Sequence, residues 1–249
     1  MTTLAEQLAQ IDALKAEIAK FRPLSAAEVQ RLREEFIIES SYNSNAIEGN
    51  TITLRETVLI LKEGMTIAEK PLREHLDIIG FKDAFNYIYE LVANNEPLTE
   101  RAIKDMHSLV LMSNAEERGR YRRIPVQILG AENKPTEPYL IAEEMAKLLE
   151  TYQQKLKTEH PLAAIAWLHL AFESIHPFID GNGRTGRLLM NFELIKQGYL
   201  PVDIKFSDRA KYYAAFDDFQ KTSGKPTALL ELIANYERHE LEHYIKIIQ

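Results

Sequence analysis

His176-Pro177-Phe178-Ile179-Asp180-Gly181-Asn182-Gly183-Arg184-Thr185-Gly186-Arg187 separates two apolar runs, Leu162 to Ile175 before it and Leu188-Leu189-Met190-Asn191-Phe192-Glu193-Leu194-Ile195 after it. Both runs have the length of buried helices. The stretch therefore reads as a loop that ends one helix and opens another at about Gly183. Gly181 and Gly183 let the backbone turn sharply and let a ligand approach with no Cβ in the way. Their N–H groups suit an anion nest, and the positive end of the following helix points to the same place. Arg184 and Arg187, three apart, share one side of that helix's first turn and reach one phosphate chain. Asp180 sets a carboxylate beside them, where a Mg2+ ion on phosphate oxygens takes a hard ligand. His176 is a group that accepts a proton near neutral pH. These are the parts of a phosphoryl- or nucleotidyl-transfer site.

Outward from this loop, helical periodicity dominates. Leu4, Leu8, Ile11, Leu14 and Ile18 make an amphipathic first helix that Arg22-Pro23 ends. Ser25 with Glu28 is a capping box for a second helix running toward Tyr42. Further helical patterns cover roughly 53–63, 71–93, 99–111, 139–157, 161–175, 183–198, 208–222 and 226–247. Ile124-Pro125-Val126-Gln127-Ile128-Leu129-Gly130 reads as a strand, followed by a turn at 131–134 and by Pro135 and Pro138. The expected fold is all-α with one small β-hairpin flap at about 124–138. Prolines in its second arm suit an edge.

The bulk numbers agree with a globular protein. The chain has 249 residues, 45% hydrophobic and 27% charged, enough for a sizeable core. Its 30 Lys+Arg against 37 Asp+Glu leave a net charge of −7, so nucleic acid and anionic lipid are not expected partners. With no cysteine, thiolate catalysis and disulfides are excluded, and a cytoplasmic setting is expected. The first twenty residues lack the apolar core of a signal peptide, and no window is apolar enough to cross a membrane.

The loop matches His-x-Phe-x-(Asp/Glu)-Gly-Asn-Gly-Arg-x-x-Arg, the Fic motif, at every fixed position. The chain thus resembles the Fic family of protein adenylyltransferases, from about residue 40 to 235. The resemblance implies a fold and a reaction: AMP passes from ATP, with Mg2+, to a Ser, Thr or Tyr hydroxyl of a target protein. It implies that His176 takes the hydroxyl proton and that Asp180 binds Mg2+. Phe178 would hold the loop, while Gly181, Asn182 and Gly183 would cradle the phosphates. Arg184 and Arg187 would hold the β- and γ-phosphates. Asp180 stands where the phosphorylating Doc branch has Lys. Gly119-Arg120-Tyr121-Arg122 resembles the segment leading into the family's target-docking hairpin, which would comprise Val126, Gln127, Ile128, Leu129 and Gly130. Asp208-Arg209-x-x-Tyr212-Tyr213 resembles the helix over the adenine, with one tyrosine expected in the core and one facing the nucleotide.

Ser44-Asn45-Ala46-Ile47-Glu48-Gly49 matches the family's (Ser/Thr)-x-x-x-Glu-(Gly/Asn) inhibitory motif. On that likeness Glu48 pairs bidentately with Arg187 and denies it to the γ-phosphate. The same carboxylate could orient a water for removal of AMP. Residues 1–52 are then N-terminal helices carrying the brake, and 53–249 the catalytic core with its C-terminal helices. A homodimer is compatible with the family.

Two other classes compete. One is a protein-binding module without catalysis, against which stand the intact His176, Asp180 and Arg187. The other is a zinc hydrolase, since His239-Glu240-Leu241-Glu242-His243 fits His-Glu-x-x-His. No third ligand follows it, and its charged surroundings read as an exposed terminal helix. His169 and Glu173 read as interior support for the catalytic loop.

Overall fold

The apolar runs around the loop become the two innermost helices. A computed structural model of the chain describes residues 3–18, 20–21, 24–127 and 134–248. Helix α7 (Pro161–Ile175) starts with proline at its first position and a His160 ring nitrogen accepting from the Leu162 amide at 3.2 Å. Ten of its fifteen residues are buried, as are twelve of fifteen in α8 (Asn182–Lys196). A helix apolar on all sides must be surrounded, and these are. Helices α6 (Ile141–Thr158) and α10 (Thr227–Ile248) pack on α7. Helices α2 (Ala26–Ile47), α4 (Leu72–Ala93) and α5 (Glu100–Val110) pack on α8.

The remaining helices are peripheral. Helix α1 (Leu4–Ile18) lies on α10, α3 (Leu54–Glu63) on α2 and α4, and α9 (Arg209–Lys221) on α10. One core runs from Ile11 in α1 through Phe81, Phe85, Phe172 and Leu189 to Leu241 in α10. Each such side chain contributes about 1.5–3 kcal/mol on burial. Ile52, Ile60 and Ile78 form a small second core that seats α3. Capping boxes at Ser25/Glu28 and Thr53/Glu56 fix the starts of α2 and α3.

The all-helical reading holds, with two differences. First, α2 does not stop near Tyr42 but continues to Ile47, because Ile37, Ile38, Ala46 and Ile47 keep its inner face apolar. Ser44 therefore lies on a helix and Glu48 caps it. Secondly, the hairpin flap is not seen: no strand occurs among the described residues. Val126 and Gln127 are irregular, while Ile128, Leu129, Gly130 and the turn at 131–133 lie outside the described residues, as does Arg22-Pro23. The physical reason is in the partners. Pro125 has no N–H to donate, and the Ile124 and Thr136 carbonyls both accept from the Arg122 guanidinium instead of from a facing strand. His239 and His243 are exposed on α10, whose opposite face buries Glu237 and Leu241. No group of three or more potential metal ligands converges among the described residues. No described helix is long and apolar enough to cross a membrane.

Candidate active site

The loop between α7 and α8 is held at every turn. His176 ends α7 in the left-handed region, φ 52° and ψ 60°, a conformation that costs a side-chain-bearing residue on the order of 1–3 kcal/mol. Its amide donates to the Phe172 carbonyl (3.0 Å), and its carbonyl accepts from Arg122 Nε (2.8 Å). Arg122 is buried and also donates its amide to the Pro177 carbonyl. Asn182 closes the loop on itself: Oδ1 accepts from the Phe178 amide and Nδ2 donates to the Phe178 carbonyl, both at 2.9 Å. Its side chain thus braces the loop from inside.

Phe178 is buried and stacks on His107 with centroids 3.6 Å apart and planes 5° from parallel. His107 Nδ1 accepts from the Gly119 amide (2.9 Å), so Nε2 carries the hydrogen and donates to the Asp180 carbonyl (2.9 Å). Burial pushes this imidazole down to about 4 and keeps it neutral.

Helix α8 opens with Gly181 at φ 76° as its N-cap and no side-chain cap. Its first amides are therefore free to meet an anion. A carboxylate is already there. A Cβ on Gly183 would fall 2.2 Å from Glu48 Oε1, so only glycine leaves room for this group. Arg187 Nη2 donates to the same Glu48 oxygen at 2.8 Å. The pair is single-toothed, not bidentate, because the rest of the fork serves Ser44. Nε donates to Ser44 Oγ and Nη2 to the Ser44 carbonyl, each at 2.8 Å, and Nη1 donates to Tyr212 OH at 3.3 Å.

Arg184 turns away from this cluster. Its Nη1 pairs with Asp77 Oδ1 in α4 at 2.7 Å, and its Nη2 lies 3.6 Å from Asp180 Oδ1. Asp180 is half-exposed and also meets Arg73 at 2.5 Å. Burial raises Asp77 more than Arg184 and Arg73 lower it.

The His176 imidazole is mostly buried, with 21% of its side chain exposed. Burial, and then the Arg122 charge, push it down to about 4, against the raising effects of the Glu173 carbonyl, Glu48 and Asp180. It is therefore a neutral base at pH 7. Tyr212 is buried, with its hydroxyl 2.7 Å from His169 Nε2. Tyr213 is 38% exposed and donates to the Ile47 carbonyl at 3.3 Å.

The structure thus gathers His176, Asp180, Gly181, Gly183, Arg187, Ser44 and Glu48 at one end of α8. It places the Asn182 side chain inward and Arg184 on α4. Sequence reasoning missed Asp77, Arg73 and His107. An acidic residue on the apolar face of α4, one turn after Arg73, was the available signal for the first two. His107 carried none beyond its burial face.

A family model described as Fic/DOC matches residues 97–194. A protein adenylyltransferase Fic of Nematostella vectensis is 32% identical over 247 residues, covering 96% of this chain and 56% of that protein. One of Drosophila willistoni is 36% identical over 218 residues, covering 85% of this chain and 42% of its own. The chain spans about half the length of the curated relatives it matches. Among solved structures, Fic-1 (residues 134–508, E274G) of C. elegans superposes with a TM-score of 0.84 at 28% identity, over 97% of this chain and 72% of that one. A Fic-domain signalling protein of Bacteroides thetaiotaomicron gives 0.84 at 25% identity, over 95% and 94%. This chain is a Fic-domain protein, with its Fic/DOC-family domain at residues 97–194.

Proposed function

We propose that the chain is a protein adenylyltransferase that moves AMP from ATP onto a hydroxyl side chain of a target protein and is held back by its own Glu48. The observation that carries this reading is the Glu48 carboxylate in the cradle at the start of α8, bonded to Arg187. An anion sits against Gly183 and a buried guanidinium, within a loop that also presents His176. A polyphosphate needs such a place, and relatives of this chain bear the name adenylyltransferase.

The residues divide the work. His176, neutral at pH 7, takes the proton of the attacking hydroxyl. The amides after Gly181 and the Arg187 guanidinium hold the phosphates and orient the α-phosphorus for in-line attack. Asp180 is a half-exposed carboxylate, and no group of three or more potential metal ligands converges among the described residues, which fits a Mg2+ ion bound mainly by phosphate oxygens and water. Such an ion, when bound, supplies neutralisation of the phosphate charge. Of the two tyrosines, exposed Tyr213 takes the role of facing the nucleotide base, and buried Tyr212 that of positioning Arg187. The segment from Val126 onward docks the target. Residues 1–52 act as the regulatory part and 53–249 as the catalytic part. While Glu48 holds Arg187, the γ-phosphate lacks its guanidinium and the α-phosphorus is wrongly set.

Incubation with ATP labelled at either the α- or the γ-phosphate tests the reaction. Adenylyl transfer leaves the α-label on protein and releases the γ-label as pyrophosphate. Protein that keeps the γ-label and not the α-label would refute this reading in favour of phosphoryl transfer.

A further inference from the structure

Glu173 lies one turn before His176 in α7, almost fully buried, and the reaction as written above does not use it. Its Oε2 is 4.0 Å from His176 Nδ1. Its Oε1 has no hydrogen-bond partner, and His176 Nδ1 meets no acceptor in hydrogen-bonding geometry, although the Glu173 backbone carbonyl also acts on the ring. Two groups of complementary chemistry thus lie 4.0 Å apart. Leaving a buried carboxyl unpaired costs about 1–3 kcal/mol or more, so one without a structural partner calls for a functional reason.

The surroundings are built around this carboxyl. A Cβ on Gly186 of α8 would fall 2.4 Å from Glu173 Oε1 and 3.1 Å from His169 Nδ1, so α8 presses its backbone directly onto the group. Glu48 from α2, Arg187 from α8 and Tyr212 from α9 are the other charged or titratable groups that act on it. His169, one turn back, engages Tyr212 through its other nitrogen and is neutral.

We infer that Glu173 is a positioning residue for His176: its carboxylate fixes the hydrogen on Nδ1 and stabilises the imidazolium formed when Nε2 takes the hydroxyl proton. This rests on His176 being the base. In the step itself the target oxygen bonds to the α-phosphorus as the bond to the bridging oxygen breaks. Pyrophosphate leaves with the electron pair, the hydroxyl proton moves to Nε2, and the Nδ1–H points at Glu173. The proton then leaves to solvent. A carboxylate behind a histidine base does two things: it selects the tautomer whose outer nitrogen is free, and it offsets the charge that develops on the ring.

The geometry has a pH consequence. Burial, reinforced by the Glu48 charge and opposed by Arg187, raises Glu173 to about 8. His176 loses its proton at about 4. Transfer should therefore rise twice with pH, once near 4 as His176 becomes a base and again near 8 as Glu173 ionises. Removing Glu48 removes a like charge, so the upper rise should move to lower pH.

The test is the pH profile of AMP incorporation in the Glu48→Gly background, with Glu173→Gln and His176→Ala compared. Glu173→Gln should abolish the upper rise and lower the rate above pH 8 by roughly tenfold, while nucleotide binding is kept. The 15N shifts of His176 at pH 9 should show the Nδ1–H tautomer with Glu173 present and lose it in Glu173→Gln. A profile without an upper rise, or unchanged by Glu173→Gln, would overturn the inference. So would an Nε2–H tautomer in the unsubstituted protein, a result that needs no variant to fold. If His176→Ala keeps full transfer, the base assignment itself fails; if it is inactive and Glu173→Gln is silent, only Glu173's role fails.

Discussion

Arg184 and Arg187 sit one turn apart at the start of α8, equally buried, and each makes one short carboxylate contact, at 2.7 and 2.8 Å. Their partners differ in kind. Asp77 lies in the second turn of the 22-residue helix α4, near buried His75 and Ile78, and its side chain is 10% exposed. Glu48 is the last residue before Gly49 at the end of α2, and its side chain is 34% exposed. Withdrawing Asp77 requires α4 to move and strands a buried guanidinium. Withdrawing Glu48 requires a rotation at a helix end, and Ser44 and Tyr212 still accept from Arg187. The lesson is that a buried ion pair is fixed or releasable according to where its acidic partner is mounted. On this reading Arg184 fastens α8 to α4, and Arg187 is the arginine that can change partners.

The comparison breaks most visibly in stability. Asp77→Ala leaves buried Arg184 with the Asn45 amide oxygen at 3.5 Å and Asp180 at 3.6 Å, and should cost about 3 kcal/mol or more in urea unfolding. Glu48→Gln, by contrast, should change stability by no more than about 1 kcal/mol, because that carboxylate is a third exposed and screened. Equal losses in the two variants would erase the distinction between a fixed and a releasable pair.

A finer test concerns the fixed side of the loop, where His107 ties Gly119 to the Asp180 carbonyl. Its pKa in the fold, about 4, lies below the ordinary value of 6.5. The unfolded chain therefore binds more protons between those values, and stability rises with pH across that window. The neutral ring's contribution is present above 6.5 and is lost as pH falls toward 4. The stability gap between the protein and a His107→Asn variant should accordingly shrink by roughly 1–2 kcal/mol from pH 7.5 to pH 5. A gap independent of pH would show that His107 is not held neutral by burial.

Much of this site was legible before any coordinates. Gly181, Gly183 and the two arginines could be placed at a helix start because glycine and charge break an otherwise apolar double run. The eight helical patterns after residue 50 correspond to α3 through α10, since each carries its own apolar run or period. What the sequence hid was partnership across the fold. Nothing local says that Asp77, 107 residues before Arg184, takes its guanidinium, or that Asn182 points inward. The described end of the expected flap differs for a related reason: the carbonyls of Ile124 and Thr136 are claimed by a side chain, which leaves residues 124–127 without a ladder partner. Helix α2 extends past Tyr42 because burial of Asn43, Ser44 and Asn45 against its neighbours overrides the weak helix propensity of Ser and Asn.

The central claim is that Glu48 restrains transfer through Arg187, and a double-mutant cycle tests it most directly. AMP incorporation from α-labelled ATP, into the chain itself and into lysate proteins, is compared for the unsubstituted protein, Glu48→Gly, Arg187→Ala and the double variant. The account predicts a gain of about tenfold or more in Glu48→Gly, from a guanidinium freed to grip phosphate, and little or none when Arg187 is also absent. Transfer at the unsubstituted level in Glu48→Gly, or an equal gain with and without Arg187, would contradict it.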